Sequence, residues 1–274
     1  MAHPDAAASP LGQATHYVNQ YNPQLLFPLA RDRGRLVLGL EGELPFTGCD
    51  LWNAYEVSWL NLRGKPIVRL AEFRFAADST HIIESKSFKL YLNSFNLSRF
   101  ATEAEVEACL ERDLTAASGA PVSVCLMSVE AGLVPQPFDG VCLDELDIEI
   151  SHYTPALQLL HADPENRVEE QLYSHLLKSN CPVTGQPDWA SVMIHYRGPQ
   201  IDSAGLLAYL ISYREQGDFH EQCVEQIFID LQRQCQPEML SVYARYLRRG
   251  GLDINPWRTS EPGAQPPVVR LLRQ

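Results

Sequence analysis

Apolar and polar positions alternate over residues 67–75 and again over 189–196, which predicts a strand in each stretch. Downstream, Thr102-x-x-Glu105 and Asp218-x-x-Glu221 read as helix capping boxes, each followed by an apolar run with helical spacing. Helices are predicted over about 103–116 and 219–234. Strand-like runs follow at Val122–Val129 and Asp144–Ile150. Met239–Leu247, where Leu240, Val242, Ala244 and Tyr246 alternate, is read as a strand by analogy with Val122–Val129.

The same order of elements occurs twice, and the residues repeat with it. Ile83, Ser85, Tyr91, Leu92 and Ser94 recur without a gap as Ile201, Ser203, Tyr209, Leu210 and Ser212. Glu84/Asp202 and Phe95/Tyr213 match in kind, and Gly64-Lys-Pro66 corresponds to Gly185-Gln-Pro187. The ordered set predicts a duplicated domain, with modules over 1–150 and 151–274 joined near Ser151–Pro155. The motif stretches 83–95 and 201–213 are second strands or strand-to-helix junctions.

Composition narrows the class. The 274 residues are 45% apolar and 20% charged, as in a soluble globular protein able to bury a large core. A net charge of -12 disfavours nucleic acid and anionic membrane, so an anionic ligand needs a local basic cluster. Seven cysteines without a C-x-x-C pair suit a reducing compartment. No basic, apolar leader and no apolar run of membrane length are present, so a cytoplasmic protein is expected and the sequon Asn96-Leu-Ser98 is read as chance.

Neither G-x-G-x-x-G, the P-loop, G-x-S-x-G nor H-E-x-x-H occurs. Candidate chemistry lies in other stretches. Cys181 sits in a turn-rich segment, Ser179-Asn-Cys-Pro-Val-Thr-Gly-Gln-Pro-Asp-Trp189, where a loop would expose a nucleophilic thiol and Asp188 could relay its proton. The plainer alternative is a semi-buried thiol beside a turn aspartate. Glu84, Lys86 and Lys89 put a carboxylate and two ammoniums in one segment, with Glu84 and Lys86 on one side if it is a strand. The second copy replaces Lys86 by Ala204, so the charges look less like scaffold than like site. His220 and Glu221 open a helix, where Glu221 could equally be the capping-box residue. Arg248-Arg-Gly-Gly251 could fork onto phosphate, or be an exposed basic turn. A zinc site from Cys181, His220 and Cys223, as in a cyclohydrolase-like hydrolase of a purine or pterin, is the alternative.

Glu84-Ser-Lys-Ser-Phe-Lys-Leu-Tyr91, Cys181-Pro-Val-Thr-Gly-Gln-Pro-Asp188, Gly217-Asp-Phe-His-Glu221 and Arg249-Gly-Gly251 together resemble the signature of the NADPH-dependent 7-cyano-7-deazaguanine reductases, the nitrile reductases of queuosine biosynthesis. The order of the motifs is similar to that of the long, two-module subfamily. The resemblance implies an α+β fold of tandem tunnelling-fold (T-fold) modules, antiparallel sheet with helices on one face, assembling as a homodimer. It implies a small-molecule substrate, 7-cyano-7-deazaguanine, with NADPH as cofactor, no metal, and no nucleic-acid or membrane partner. Carried over by position, Cys181 is the nucleophile that forms a thioimide and Asp188 the proton donor, which requires a raised carboxyl pKa. Ile83, Glu84, Ser85, His220 and Glu221 hold the substrate, and Ser85, Lys86, Arg249 and Gly250 the cofactor.

Overall fold

The structure, a computed structural model, describes residues 17–132 and 134–274. In chain order its elements are β1 (Pro28–Ala30), α1 (Arg31–Val37), β2 (Thr47–Leu60), β3 (Pro66–Ala76), β4 (His81–Ile83), α2 (Ser85–Ser94), α3 (Glu103–Ser118), β5 (Val122–Met127), β6 (Val141–Cys142), β7 (Ala162–Asn180), β8 (Pro187–Ile201), α4 (Ser203–Ile211), α5 (His220–Cys235), β9 (Met239–Tyr246) and β10 (Leu252–Thr259). Eight strands form one sheet in the order β5-β3-β2-β10-β9-β8-β7-β6, and β1 pairs with β4 separately. Only β6 and β7 run parallel; the other neighbours are antiparallel.

Strand alternation sorts the side chains between two faces. Val192, Ile194, Leu240 and Val242 pack with Leu206 and Leu210 of α4 and Ile227 and Phe228 of α5. Trp52, Ala71 and Phe73 pack with Phe88 and Tyr91 of α2 and Val106 and Leu110 of α3. Met193, Tyr243 and Trp257 turn to the opposite face, which Phe138 and Leu271 cover. The α+β class, an antiparallel sheet with helices on one face, is as expected.

The repeated residues are largely frame. Tyr91 Oη donates to Asp113 Oδ2 at 2.7 Å, and Tyr209 Oη to Asp230 Oδ2 at 2.6 Å, so each copy ties its two helices by one bond. Ser94 and Ser212 each donate to the carbonyl of that tyrosine at 2.6 Å. The halves join where β2 pairs with β10 from Ala54↔Leu252 to Thr47↔Thr259. Beneath that seam lies a buried ion network. Arg31 Nη2–Asp50 Oδ2 is 2.5 Å, Arg258 Nη1–Asp50 Oδ1 2.8 Å, Arg258 Nη2–Glu225 Oε1 2.9 Å and Arg35 Nη2–Glu225 Oε1 2.7 Å. Burial alone would raise the Glu225 pKa, but Arg258 and Arg35 hold it below its ordinary value. This pins the first two turns of α5 against the sheet.

Two expectations change, and one open alternative is decided. Residues 144–150 form no strand: Asp144 accepts from Ser174 Oγ at 2.6 Å and from the His175 amide at 3.0 Å, taking a donor that a continued ladder would use. The stretches 83–95 and 201–213 are junctions, so Glu84 and Lys86 sit at a helix start and not on one face of a strand. The box at Asp218 does not form either. Phe219 is the N-cap of α5, and Asp218 accepts from Gln216 Nε2 instead. The Thr102–Glu105 box is present: Glu105 N donates to Thr102 Oγ1 at 3.2 Å, and Glu105 Oε2 reaches back to Ala101 N at 2.9 Å.

Candidate active site

Cys181 directly follows β7, at the start of the tight connection to β8. Its amide donates to Gln186 O at 2.8 Å and its carbonyl accepts from Gly185 N at 3.0 Å, with Gly185 at φ +68°. The thiol is not a surface group; the residue is 5% exposed. Seven residues on, Asp188 lies in β8, so the hairpin brings the Cys181 thiol and a carboxylate to the same end of the sheet. The β9–β10 hairpin arrives beside them. Its tip, Gly250 and Gly251 at φ +58° and +81°, reverses the chain so that Arg249 joins the same cleft.

That cleft is narrow, with a cavity volume of about 40 Å3 between its walls. Ile83, Ser85 and Lys89 line it from the first half, and Cys181, Asp188, His220, Glu221 and Arg249 from the second. A larger hollow of about 710 Å3, walled by Arg31, Arg35, Phe46 and His81, holds no thiol, so size does not locate the chemistry.

Asp188 Oδ2 is 3.4 Å from His220 Nε2, and Oδ1 is 3.1 Å from Arg249 Nε. Burial pushes the Asp188 pKa up, but His220, Arg249 and Lys89 outweigh it and hold the carboxyl below its ordinary range. The raised pKa expected of a ready-made proton donor is therefore not found in the unliganded site. His220 stacks on Tyr246 with ring centroids 3.7 Å apart and planes within 1°. Its Nδ1 is buried and has no hydrogen-bond partner among the described residues.

Glu221 is 4% exposed, and burial, then the Asp50 charge, raise its carboxyl to about 7 against the pull of His220 and Arg31. Glu84 is spent differently. It N-caps α2, accepting from Lys86 N and Ser87 N at 2.7 Å each, and does not line the cleft. Burial leaves its pKa raised despite those bonds. Lys86 is also off the cleft wall, its ammonium 5.2 Å from the Tyr17 ring centroid. Gly250 lies behind it too: a Cβ there would stand 3.2 Å from Lys89 Cδ. Its missing side chain makes room for Lys89.

Lys89, singled out in the sequence as part of a charged segment, lines the cleft, whereas Trp52 on its wall and Tyr246 behind His220 were not assigned by sequence reasoning. Burial, then the Arg249 charge, depress the Lys89 ammonium to about 8. Its signal was present, because Leu207 stands at the matching place in the second copy. Tyr246 gave no signal beyond strand alternation. Cys181, His220 and Cys223 do not bring three donors within reach of one ion, so the zinc hydrolase alternative is not favoured.

The profile of the family described as "Nitrile reductase, 7-cyano-7-deazaguanine-reductase N-term" matches residues 17–126, and that of "QueF-like protein" matches 187–264. A curated protein of Bordetella parapertussis called NADPH-dependent 7-cyano-7-deazaguanine reductase is 57% identical over 97% of this chain and 98% of its own. One of the same name from Dechloromonas aromatica is 56% identical over 97% and 95%. Among solved structures, the apo form of the archaeosine synthase QueF-Like is similar at 19% identity and a TM-score of 0.29, covering 37% of this chain and 95% of its own. With both profiles matched and relatives this similar along nearly its whole length, the chain belongs to the NADPH-dependent 7-cyano-7-deazaguanine reductase family.

Proposed function

We propose that the chain reduces the nitrile of 7-cyano-7-deazaguanine to the primary amine, 7-aminomethyl-7-deazaguanine, with two NADPH and through a thioimide on Cys181, as a step of queuosine biosynthesis. The observation that carries this reading is the cleft itself. A buried thiol, a carboxylate paired to histidine and arginine, and a second carboxylate titrating near neutrality face one space.

A nitrile is a weak electrophile, and addition of Cys181 Sγ converts it into a thioimide that accepts hydride. Asp188 enters this step ionised. It takes the thiol proton as sulfur bonds to carbon, then delivers it to the nitrile nitrogen, so the proton lost by sulfur is the one gained by nitrogen. His220 and Arg249 hold the carboxylate and favour its charged form between turnovers. Glu221 accepts from the N1–H and 2-amino donors of the deazaguanine, with Ile83, Ser85 and His220 completing the pocket and Glu84 fixing the start of α2 that carries Ser85.

The residues present suit a phosphate-bearing cofactor. Lys89 and Arg249 are concentrated at one cleft of a chain whose net charge is -12, with Lys86 close by in the same helix as Lys89. NADPH, when bound, supplies hydride. Lys86 and Arg249 hold its phosphates, with Ser85 and the Gly250 backbone alongside, and Lys89 adds charge within the cleft. The chain works as two T-fold modules, 1–150 and 151–274, in a cytoplasmic homodimer. No helix among the described residues is long and apolar enough to cross a membrane. NADPH oxidation on addition of 7-cyano-7-deazaguanine, two equivalents per amine formed, tests the reading; no oxidation with folded protein would overturn it.

A further inference from the structure

The segment between β5 and β7 meets the sheet edge through one short parallel ladder, Val141↔Leu172 and Cys142↔Tyr173. One two-residue step along both chains then brings Asp144 beside His175. Ligand atoms of Cys142, Asp144 and His175 all lie within 4.8 Å of one another, the only such group of three found among the described residues. It borders the face that carries Met193 and Tyr243, on which Tyr173 packs, opposite the helices. It shares no residue with the Cys181 cleft.

The donors are held by a shell of hydrogen bonds. Asp144 Oδ1 accepts from Ser174 Oγ at 2.6 Å, and Oδ2 from the His175 amide at 3.0 Å. His175 Nδ1 is 2.7 Å from Ser191 Oγ, and Tyr173 meets the ring edge-on at 5.4 Å between centroids. An Nδ1–H donated to Ser191 leaves Nε2 with the lone pair that ligation needs, the usual way a second residue orients a metal-binding histidine. Arg273 Nη2 donates to His175 O at 2.8 Å and to Ser191 Oγ at 3.0 Å, so a positive charge stands behind the ring. A thiolate and a carboxylate neutralise a divalent ion between them, so the filled site presents no net charge to Arg273.

We propose that Cys142, Asp144 and His175 bind a borderline-soft divalent transition metal, zinc(II) in the cell, with water as fourth ligand. Thiolate, imidazole and carboxylate are its ordinary donors, at ~2.0–2.3 Å from the ion. Binding releases the Cys142 thiol proton to solvent and staples the connecting segment to β7.

Cobalt(II) titration of the full-length protein tests this by absorbance. Wild type and Cys181→Ser should both develop thiolate-to-cobalt charge-transfer and tetrahedral d–d bands that saturate stoichiometrically and are displaced by zinc. Cys142→Ser should abolish the charge-transfer band, and Ser191→Ala should weaken binding by about 10-fold or more. Zinc should raise the melting temperature of wild type but not of Cys142→Ser. If Cys142→Ser does not fold, His175→Gln and Asp144→Asn, each expected to lose tight binding, take its place. Bands that persist in Cys142→Ser, or wild type that takes up no cobalt, would overturn the proposal.

Discussion

Arg249 Nε stands 3.1 Å from Asp188 Oδ1, so a side chain assigned by sequence to cofactor phosphate is, without ligand, a partner of the candidate proton carrier. The two roles compete for one guanidinium. Arg249→Ala should therefore do two things at once. It should raise the Michaelis constant for NADPH, less so at high salt, and move the acid limb of Cys181 adduct formation to higher pH. Adduct rates measured against pH check the second effect; an unmoved limb would show that Arg249 does not set the Asp188 charge.

Glu221 supplies a pH dependence with a definite sign. Its carboxyl titrates near 7, and only the ionised form accepts from both donors of the guanine edge. Substrate binding should strengthen as pH rises through about 7. Glu221→Gln should weaken it by about 10- to 100-fold, the worth of a bond to a charged group, and flatten the profile. Stability runs the other way. With the folded pKa raised from 4.5 to about 7, the stabilising contribution is complete below 4.5 and is lost as pH rises through 7. Melting temperature against pH for wild type and Glu221→Gln should show that difference in slope.

Glu84→Gln separates capping from binding. One amide oxygen cannot replace two carboxylate oxygens on Lys86 N and Ser87 N, so a loss of about 1 kcal/mol is expected. That corresponds to a melting shift of about 2–4 °C. If substrate affinity also falls by more than the unfolded fraction explains, Glu84 binds substrate as well as capping α2.

Tyr91→Phe and Tyr209→Phe should each remove one bond to a buried carboxylate and cost about 1.5–3 kcal/mol. Activity per folded molecule should not change in either. A loss confined to one copy would mean that the repeat is not merely frame.

The frame was legible where local rules and packing agree. Thr102 and Glu105 mark the start of α3, and Leu240, Val242 and Ala244 alternate through β9. Two long strands were missed for physical reasons. β2 carries a bulge between Ala54 and Val57 that shifts the phase of its alternation, and β7 begins with the exposed, charged run 163–167. Cys181, Asp188, His220, Glu221 and Arg249 were legible as motifs, and the structure brings all five to one cleft. What motifs could not carry was how each is used: the sign of the Asp188 shift, the stacking of His220 on Tyr246, the capping by Glu84. These depend on neighbours distant in sequence.

The central claim is that Cys181 bonds to the nitrile carbon. Intact mass spectrometry of wild type mixed with 7-cyano-7-deazaguanine, NADPH withheld, should show one added substrate mass, absent in Cys181→Ala and strongly reduced in Asp188→Asn. Peptide mapping should place the adduct on Cys181. An adduct on another of the seven cysteines, or none in wild type that still oxidises NADPH on turnover, would contradict the account.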